Sequence, residues 1–437
     1  MNTRIILSLV FLIGLVFMFS LDGNFTSGAQ EPPHIQQEKM NSVTGFEGLN
    51  PETPESILSQ AQHINTIDTS QFSPPSPDPS GITFLPSSNT LLISDSEVNE
   101  MVIFEGDNLF EVTLSGDLVN TYNTLIFSEE PTGLDFNPDN GHLFFSDDNQ
   151  NMIFEVAPGE NGALIDDVIN SFNTTLFGSH DPEGVSFDSW NKHLFVADGV
   201  NGELYHLIPG DNGDYDGVSP EGDDRVVNFD TTELGLVDIE DVTFNTDNRH
   251  LYIISRGKSK NIMTETTTDG KLVNIIDISA ANAHHPDGIT FAPCSGNLTV
   301  KCFYIADRGV DNDFDPNEND GKVYEMSLPS ITPGNNPPEV STDPDQAITI
   351  LEIVNLNGTV FDDGIPDPPG MIDTFWASVR GPGRVKIKNV ASLNTTATFP
   401  TAGTYILRLF ASDGELTNFD DMTVTVYARN FLPLISR

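Results

Sequence analysis

Residues 178–199 read GSHDPEGVSFDSWNKHLFVADG and contain the pattern that recurs along the chain. Two short apolar runs, residues 185–187 and 194–197, are separated by a polar turn at 188–192. This spacing predicts an antiparallel hairpin. Because the start of the first strand lies beside the end of the second strand in a hairpin, we expect Glu183 and Asp198 at the same end of the unit.

The hairpin pattern occurs five times, at intervals of 47 to 57 residues. Four first strands begin with a Pro-x-Gly segment, at Pro79, Pro131, Pro182 and Pro286, and a degenerate copy begins at Ile239. The five second strands end at Asp95, Asp147, Asp198, Ser255 and Asp307. The step from the Gly position to the end of the second strand is 14 residues in four copies, for example from Gly81 to Asp95. Further apolar runs predict a third and usually a fourth strand in each copy, which is typical of a β-propeller blade.

The fifth copy lacks a fourth strand before a Pro-rich segment at 329–338. Residues 63–68, HINTID, resemble the outer strand VNIID at 273–277, so we expect the N-terminal segment to supply the missing strand. The sequence therefore predicts an all-β chain with a five-bladed β-propeller at residues 56–328, or a six-bladed one if two units are merged in this count.

The part of the chain after the 329–338 linker has a different pattern. Residues 339–428 contain seven short strand candidates, a central Trp376, and a Tyr405 at the start of the next-to-last strand. This arrangement predicts an Ig-like β-sandwich with a tyrosine corner. The last residues, 429–437, are apolar with a final Arg437, and they are either a sorting signal for attachment to the cell envelope or a frayed terminus.

The N-terminus predicts export. Arg4, an apolar run at 5–19 and small residues at 27–29 indicate a signal peptide over residues 1–30, the alternative being an uncleaved anchor. Residues 31–55 are polar and Pro-rich and predict a flexible spacer. No later stretch is apolar enough to span a bilayer, so we expect an extracellular or cell-surface protein without a transmembrane span after cleavage. In such a protein the two cysteines, Cys294 and Cys302, favour a disulfide over two free thiols.

The charge of the chain restricts its partners. It has 19 basic and 65 acidic residues, which gives a net charge of −46. Such a surface repels nucleic acid, so we expect no nucleic-acid partner. It suits divalent cations or a salty medium.

Two family resemblances follow from these motifs. The repeats resemble those of the NHL, SdiA-regulated and gluconolactonase-like β-propellers. The segments that carry this resemblance are DPEGVSF at 181–187, HLFVADG at 193–199 and HPDGITF at 285–291. The stretch AGTYILRLFASDGELT at 402–417 resembles the Ig-like PKD domains of bacterial surface proteins, which imply a spacer or adhesive role. The gluconolactonase-like relatives imply a catalytic metal held by Glu, Asn and Asp, and Glu183 and Asp198 resemble part of that set. The resemblance does not assign the Asn ligand to a position in this sequence.

The hairpin argument places a group of carboxylates on one face of the propeller. The group comprises Glu183, Glu240, Asp241, Asp287, Asp95, Asp147, Asp198 and Asp307. Carboxylates so close together repel one another unless protons or a cation compensate, and Ca²⁺ accepts oxygen ligands in loose geometry. The alternative is that the Asp residues at the ends of the second strands cap turns by accepting backbone N–H bonds.

Two acidic loops are separate candidates for Ca²⁺ binding, the alternative being solvated loops. The first resembles an EF-hand loop and offers Asn212, Asp214, Asp216 and Asp223. The second offers Asp311, Asp313, Asp315 and Asp320.

Histidines also approach this face, and a His beside a carboxylate can act as a general base. The catalytic candidates are Glu183, His180, Asp198, Asp287 and His285. Two hypotheses follow. The first is a secreted or surface calcium-binding propeller that acts as a binding or adhesion module for a protein, glycan or small molecule. The second is a metal-dependent hydrolase of the lactonase, esterase or phosphoesterase type.

We predict that millimolar Ca²⁺ raises the melting temperature more than Mg²⁺ does at fixed ionic strength, because Mg²⁺ demands a tighter octahedral shell. A cation that binds only the folded state stabilises it by about 2.7 kcal/mol at a hundredfold excess over Kd. Asp313→Ala combined with Asp315→Ala should remove part of the Ca²⁺-specific shift. Equal shifts with Ca²⁺, Mg²⁺ and matched NaCl would mean that the loops are only a solvated acidic surface.

Overall fold

A computed structural model of the chain describes residues 59–159, 167–312, 314–328, 332, 334–367, 370 and 372–428. The predicted signal peptide, spacer and C-terminal tail lie outside these residues. In the described part, the helices are six short 3₁₀ turns: Thr69–Gln71, Val98–Glu100, Thr174–Phe177, Thr231–Leu234, Gly257–Ser259 and Ser279–Ala281. None of the described helices is long and apolar enough to cross a membrane.

The described part of residues 59–328 forms five sheets, each with four antiparallel strands, and one of them carries an additional parallel strand. The chain begins with two short strands, β1 (Ser59–Gln60) and β2 (Gln62–Asp68). Blade 1 consists of β3 (Pro79–Leu85), β4 (Thr90–Asp95), β5 (Leu109–Thr113) and β6 (Leu118–Tyr122). Blade 2 consists of β7 (Leu134–Phe136), β8 (Leu143–Asp147), β9 (Met152–Ala157) and β10 (Asp167–Asn173).

The remaining sheets follow the same order. Blade 3 consists of β11 (Pro182–Asp188), β12 (His193–Asp198), β13 (Glu203–Ile208) and β14 (Arg225–Asp230). Blade 4 consists of β15 (Ile239–Asn245), β16 (His250–Ser255), β17 (Ile262–Thr266) and β18 (Leu272–Asp277), with β1 added in parallel at its outer edge. Blade 5 consists of β19 (Pro286–Cys294), β20 (Asn297–Asp307), β21 (Lys322–Ser327) and β2.

The first strands of the five blades contact one another in a closed circle. Strand β3 contacts β7 and β19, β11 contacts β7 and β15, and β15 contacts β19. The N-terminal strand closes this ring, because β2 pairs antiparallel with β21 and places Ile67 opposite Val323. The expectation that the N-terminal segment supplies the missing outer strand is thus confirmed.

Glycines allow the first strands to approach this closely. A Cβ on Gly133 would lie 2.5 Å from the carbonyl oxygen of Glu183, and a Cβ on Gly288 would lie 2.0 Å from that of Ser80. No side chain fits at such distances, so the Gly of the repeat is required by the packing of neighbouring blades.

The inserted hairpin of blade 5 contains the two cysteines. Cys294 and Cys302 form a disulfide between β19 and β20, with their Cα atoms 4.9 Å apart. Both residues are buried in the apolar cluster that also contains Tyr304 and Ala306.

The C-terminal domain is a sandwich of two four-stranded sheets. One sheet consists of β22 (Glu339–Thr342), β24 (Val354–Phe361), β27 (Asn394–Thr398) and β26 (Lys386–Ile387). The other consists of β23 (Gln346–Thr349), β29 (Thr417–Tyr427), β28 (Gly403–Ser412) and β25 (Asp373–Arg380). Trp376 and Tyr405 lie in the core between them, and the Tyr405 hydroxyl donates a hydrogen bond to the Thr401 carbonyl at 2.9 Å, as a tyrosine corner does.

The sandwich packs against the outer strands of the propeller. Phe375 and Phe410 belong to the same apolar cluster as Leu272 and Ile275 of β18. Glu415 joins the two domains and the linker, because its carboxylate accepts hydrogen bonds from Thr332 N and Oγ1, both at 2.7 Å. Its carbonyl accepts a hydrogen bond from the Ser59 hydroxyl.

We predict that deleting residues 56–70 removes cooperative unfolding of the propeller, because the deletion takes β2 away and leaves β21 with an unpaired edge. Differential scanning calorimetry should show the main transition lost or strongly lowered. A control that lacks residues 31–45 should keep it. A 56–70 deletion with the full thermal transition would contradict the ring closure.

Candidate metal centre at the propeller mouth

We call the end of the propeller where first strands begin and second strands end the mouth. Register fixes this end, because Pro79 pairs with Asp95, Pro182 with Asp198, and Pro286 with Asp307. The loops before the first strands and the turns after the second strands therefore meet there, as the hairpin argument predicts.

The aspartates that end the second strands bind backbone groups. Asp198 is fully buried and accepts hydrogen bonds from His180 N at 2.9 Å and Asn201 N at 2.7 Å. Asp95 accepts from Ser76 Oγ at 2.7 Å and Val98 N at 2.9 Å. Asp147 and Asp307 have equivalent bonds to Gln150 N and to His284 N and His285 N. These carboxylates tie the loop before each first strand to the turn after the second, which is the capping role of the alternative interpretation.

A second set of carboxylates comes together between blades 2 and 3. Asp148 follows the end of β8, Asp181 precedes β11, and Glu183 lies on β11. One ligand oxygen from each lies within 4.8 Å of the others. Backbone N–H groups orient two of them, because Asn149 N donates to Asp148 Oδ1 at 2.8 Å and Val200 N donates to Asp181. Three carboxylates at this spacing could hold a metal ion.

The local electrostatics show the mutual repulsion of these groups. Burial, followed by the charges of Asp181 and Asp147, raises the pKa of Asp148 to about 7. Burial, followed by the charge of Asp198, raises the pKa of Asp181 to about 6. Burial and the charges of Asp148 and Asp181 raise the pKa of Glu183 well above its usual value. No Lys, Arg or His of the described residues forms an ion pair with these three carboxylates, but the charge of Arg256 lowers the pKa values of Asp181 and Glu183.

Gly199 leaves room for this group. A Cβ at Gly199 would lie 2.9 Å from Asp181 Oδ2 and 3.4 Å from Glu183 Oε1. The backbone after β12 therefore approaches the carboxylates more closely than another residue type would permit.

Two arginines neutralise the rest of the mouth. Arg256 Nε donates to Asp238 Oδ2 at 3.1 Å and lies 2.8 Å from Glu240 Oε1. The contact with Glu240 is an ion pair without an aligned hydrogen bond, because both Glu240 oxygens lack a hydrogen-bond donor. Arg308 pairs with Glu97 and lies 3.8 Å from Asp287 Oδ2.

Of the other predicted mouth residues, Asp241 and Asp287 have different surroundings. Asp241 occupies the Gly position of the fourth repeat and accepts a hydrogen bond from Ile289 N at 2.7 Å, which joins blades 4 and 5. Burial raises the pKa of Asp287 to about 6, and its Oδ1 is buried without a donor.

The histidines lie at the rim of the mouth. His180 is exposed, and His284 Nδ1 lies 2.6 Å from the Gly309 carbonyl oxygen. His285 is half-buried, stacks against His284 with ring centroids 4.5 Å apart, and has a pKa lowered by burial and by the charge of His284.

The structure brings together some of the residues of the first acidic loop. Asp216 and Asp223 form a group with Asp224 in which the ligand oxygens lie within 4.8 Å of one another. Asn212 Nδ2 donates a hydrogen bond to Asp216 Oδ2 at 2.8 Å, while Asp214 is exposed outside the group. Burial raises the pKa of Asp224 to about 6.

The second acidic loop is arranged differently. Asp313 lies outside the described residues. Asp315 caps Asn317 N at 3.1 Å, and Asp320 accepts from Val310 N at 3.0 Å. The described carboxylates of this loop, Asp311 included, do not form a group of three at metal-ligand spacing.

Sequence reasoning missed Asp148, Asp181, Asp224, Arg256 and Arg308. A signal for four of them exists in the repeat. The residue before the first strand is Asp78, Glu130, Asp181, Asp238 or His285. The residue after the end of the second strand is Ser96, Asp148, Gly199, Arg256 or Arg308. Aligning these two positions across the five copies would have pointed to the mouth.

Comparison with known proteins agrees with this architecture. The model of the SdiA-regulated family matches residues 55–298, more than half of the chain, so the chain belongs to that family. A PKD domain model matches residues 342–426, which identifies the sandwich. The protein is therefore a β-propeller of the SdiA-regulated family followed by a PKD domain.

Solved structures with similar folds are distant. The chain is 12% identical to the calcium-binding protein regucalcin from Agrobacterium tumefaciens, with 63% of this chain and 100% of that one covered and a TM-score of 0.37. It is 13% identical to a chain of a nidogen/laminin complex, with 59% and 86% covered and a TM-score of 0.35. The PKD domain of human KIAA0319 is 18% identical, with 24% and 98% covered and a TM-score of 0.19. These scores carry no argument about activity.

We predict that Arg256→Gln destabilises the propeller, because Glu240 is only 1% exposed and loses its basic partner. The expected loss in the free energy of unfolding is about 3 kcal/mol. This value is at the lower end of the range for removing one partner of a buried ion pair, because the Arg256 side chain is 35% exposed.

Urea denaturation in EDTA measures this loss. The double variant Arg256→Gln with Glu240→Gln should recover most of it, since the unpaired charge is then absent. Arg225→Gln, at an exposed position, is the matched control. A double variant as unstable as the single one would show that the ion pair is not the cause.

Proposed function

We propose that the chain is an exported, surface-type binding protein whose propeller mouth holds a Ca²⁺ ion between Asp148, Asp181 and Glu183. The observation that supports this proposal most is the convergence of these three carboxylates from two blades, with no ion-pair contact to a basic side chain among the described residues. A bound cation offsets the repulsion that raises their pKa values. The PKD domain supports the surface role, since it adds a second module beside the propeller.

The donor set favours Ca²⁺ over other metals. All three side chains offer hard oxygen atoms, which excludes the nitrogen and sulfur ligands typical of zinc sites. The ligands come from two separate loops and a strand, so the site tolerates the loose geometry and higher coordination number of Ca²⁺. Mg²⁺ requires near-ideal octahedral geometry and keeps several waters.

The bound ion gives the mouth a way to bind an extracellular ligand. Three protein carboxylates leave coordination positions of a six- to eight-coordinate ion open to water or to oxygen atoms of a ligand. A ligand that supplies hydroxyl, carbonyl or carboxylate oxygens would bind at this position only when Ca²⁺ is present. We therefore assign the mouth to cation-dependent recognition of a protein, glycan or small molecule.

A metal-dependent hydrolase is the second candidate, and His285 is the observation that favours it. Its lowered pKa keeps this half-buried imidazole neutral near pH 7, so it can accept a proton. Its position before β19, beside Asp307 and Asp287, is on the blade 5 side of the mouth, whereas the proposed ion lies between blades 2 and 3. This separation favours binding over hydrolysis.

Calcium titration by isothermal calorimetry tests the proposal. We expect Asp181→Asn and Glu183→Gln each to weaken Ca²⁺ binding at one site at least tenfold, because a charged ligand is lost. Asp117→Asn, an exposed turn residue of blade 1, is the matched control and should bind as the natural protein does.

Unchanged Ca²⁺ affinity in both mouth variants would contradict the metal centre. Hydrolysis of an ester or lactone substrate by the natural protein that is lost with His285→Gln would instead support the enzymatic candidate.

A further inference from the structure

Buried polar atoms without hydrogen-bond partners are concentrated on the opposite side of the mouth, between blades 5 and 1. Both carboxylate oxygens of Asp78 lack a partner, although the residue is completely buried. The same is true of Glu318 Oε1 and Arg308 Nε, in residues that are 7% and 8% exposed. Leaving such groups buried without partners is costly, so a polar group or ion is expected among them.

Asp78 and Glu318 come from different segments and face each other. Asp78 precedes β3, whereas Glu318 lies in the acidic loop between β20 and β21. Their carboxyl groups interact at hydrogen-bonding range, yet both are acceptors when ionised. The nearest basic group is Arg308, whose Nε is 3.9 Å from Asp78 Oδ1 and whose terminal nitrogen is already paired with Glu97.

We propose that Asp78 and Glu318 hold a second divalent cation, which fastens the acidic loop 311–320 to blade 1 at the mouth. The site differs from the Asp148 group in its residues and its blades, and it does not depend on that group. The two side chains offer up to four hard oxygen atoms, a donor set for Ca²⁺, with water completing the shell.

The loop around Glu318 is built to present this side chain. Glu318 Oε2 accepts a hydrogen bond from Asp320 N at 3.1 Å, which orients the carboxylate, while Oε1 is buried without a donor. The loop lies directly against the segment that contains Asp78, because a Cβ on Gly321 would lie 2.4 Å from the Pro77 carbonyl oxygen. Asn319 Nδ2 donates to the Ser70 carbonyl at 3.2 Å, and Thr69 N donates to the Gly321 carbonyl at 3.1 Å. The second half of the loop is therefore held against the segment that leads into β3.

The alternative occupant is a single proton shared by the two carboxyl groups. Burial, followed by the charges of Asp95 and Glu318, raises the pKa of Asp78 to about 10, and burial raises that of Glu318 to about 7. A shared proton would hold the pair at neutral pH without any cation. The two occupants differ in one observable, since only the cation makes the position of the loop depend on Ca²⁺.

Chymotryptic cleavage after Phe314 reports on this loop, because Phe314 is 82% exposed and cleavage requires the neighbouring residues to detach. In the full-length natural protein, we expect 1 mM Ca²⁺ to slow cleavage at Phe314 at least tenfold relative to EDTA. Glu318→Gln and Asp78→Asn should each reduce this protection to less than twofold. Cleavage sites are identified by mass spectrometry, and melting in EDTA confirms that each variant is folded.

Two controls separate this site from the other acidic groups. Asp117→Asn changes an exposed carboxylate in a turn of blade 1 and should keep the tenfold protection. Asp181→Asn should also keep it, even if it abolishes the proposed site between blades 2 and 3. Equal cleavage of the natural protein in Ca²⁺ and EDTA, or full protection in both Glu318→Gln and Asp78→Asn, would overturn the proposal.

Discussion

The close approach of the five first strands around the axis is the constraint on which the propeller depends. At Gly81, Gly133, Gly184 and Gly288, an added Cβ would meet the neighbouring blade at 2.0 to 2.8 Å. The strands can pack at this distance only with their Gly positions in phase, so each blade has the same height on the axis. The loops before the first strands consequently reach the same level, and their charged residues meet at one mouth.

The periodic part of this arrangement was predictable from the sequence. The constant step between the Gly position and the end of the second strand predicts which residues lie at the same end of a blade. The similarity of residues 63–68 to 273–277 predicts that the N-terminal strand closes the ring. Contacts between blades were not predictable in this way, because they depend on the rotation of one sheet relative to the next. Asp148 with Glu183 is such a contact, and Asp78 with Glu318 depends in addition on the path of an irregular loop. Asp135 makes a further contact between blades. It accepts hydrogen bonds from Phe187 N at 2.7 Å and from Thr83 Oγ1 at 2.8 Å, which lie on the two neighbouring blades.

The aspartates that end the second strands each accept two or more hydrogen bonds, whereas both oxygens of Asp78 are buried without a donor. Asp95, Asp147, Asp198 and Asp307 are as buried as Glu183, but backbone N–H groups satisfy them. Donors of this kind stabilise the ionised form and make a counter-ion unnecessary. Asp78, Glu240 and Asp287 retain buried oxygen atoms without donors. Arg256 contacts Glu240 directly, whereas its charge acts on Asp181 and Glu183 without an ion-pair contact. Arg308 reaches Asp78 only at 3.9 Å.

The two domains use different surfaces of the propeller. The PKD domain packs Phe375 and Phe410 against the outer strands, and Glu415 fixes the linker at the same place. The mouth is built from the beginnings of inner strands, and its carboxylates, as far as the structure describes the chain, come from the propeller. The net charge of −46 is spread over the whole chain and is screened beyond about 10 Å at moderate salt. Attraction of cations by the surface is therefore general and weak, and selective binding has to come from the few carboxylates that the packing of blades 2, 3, 5 and 1 forces together.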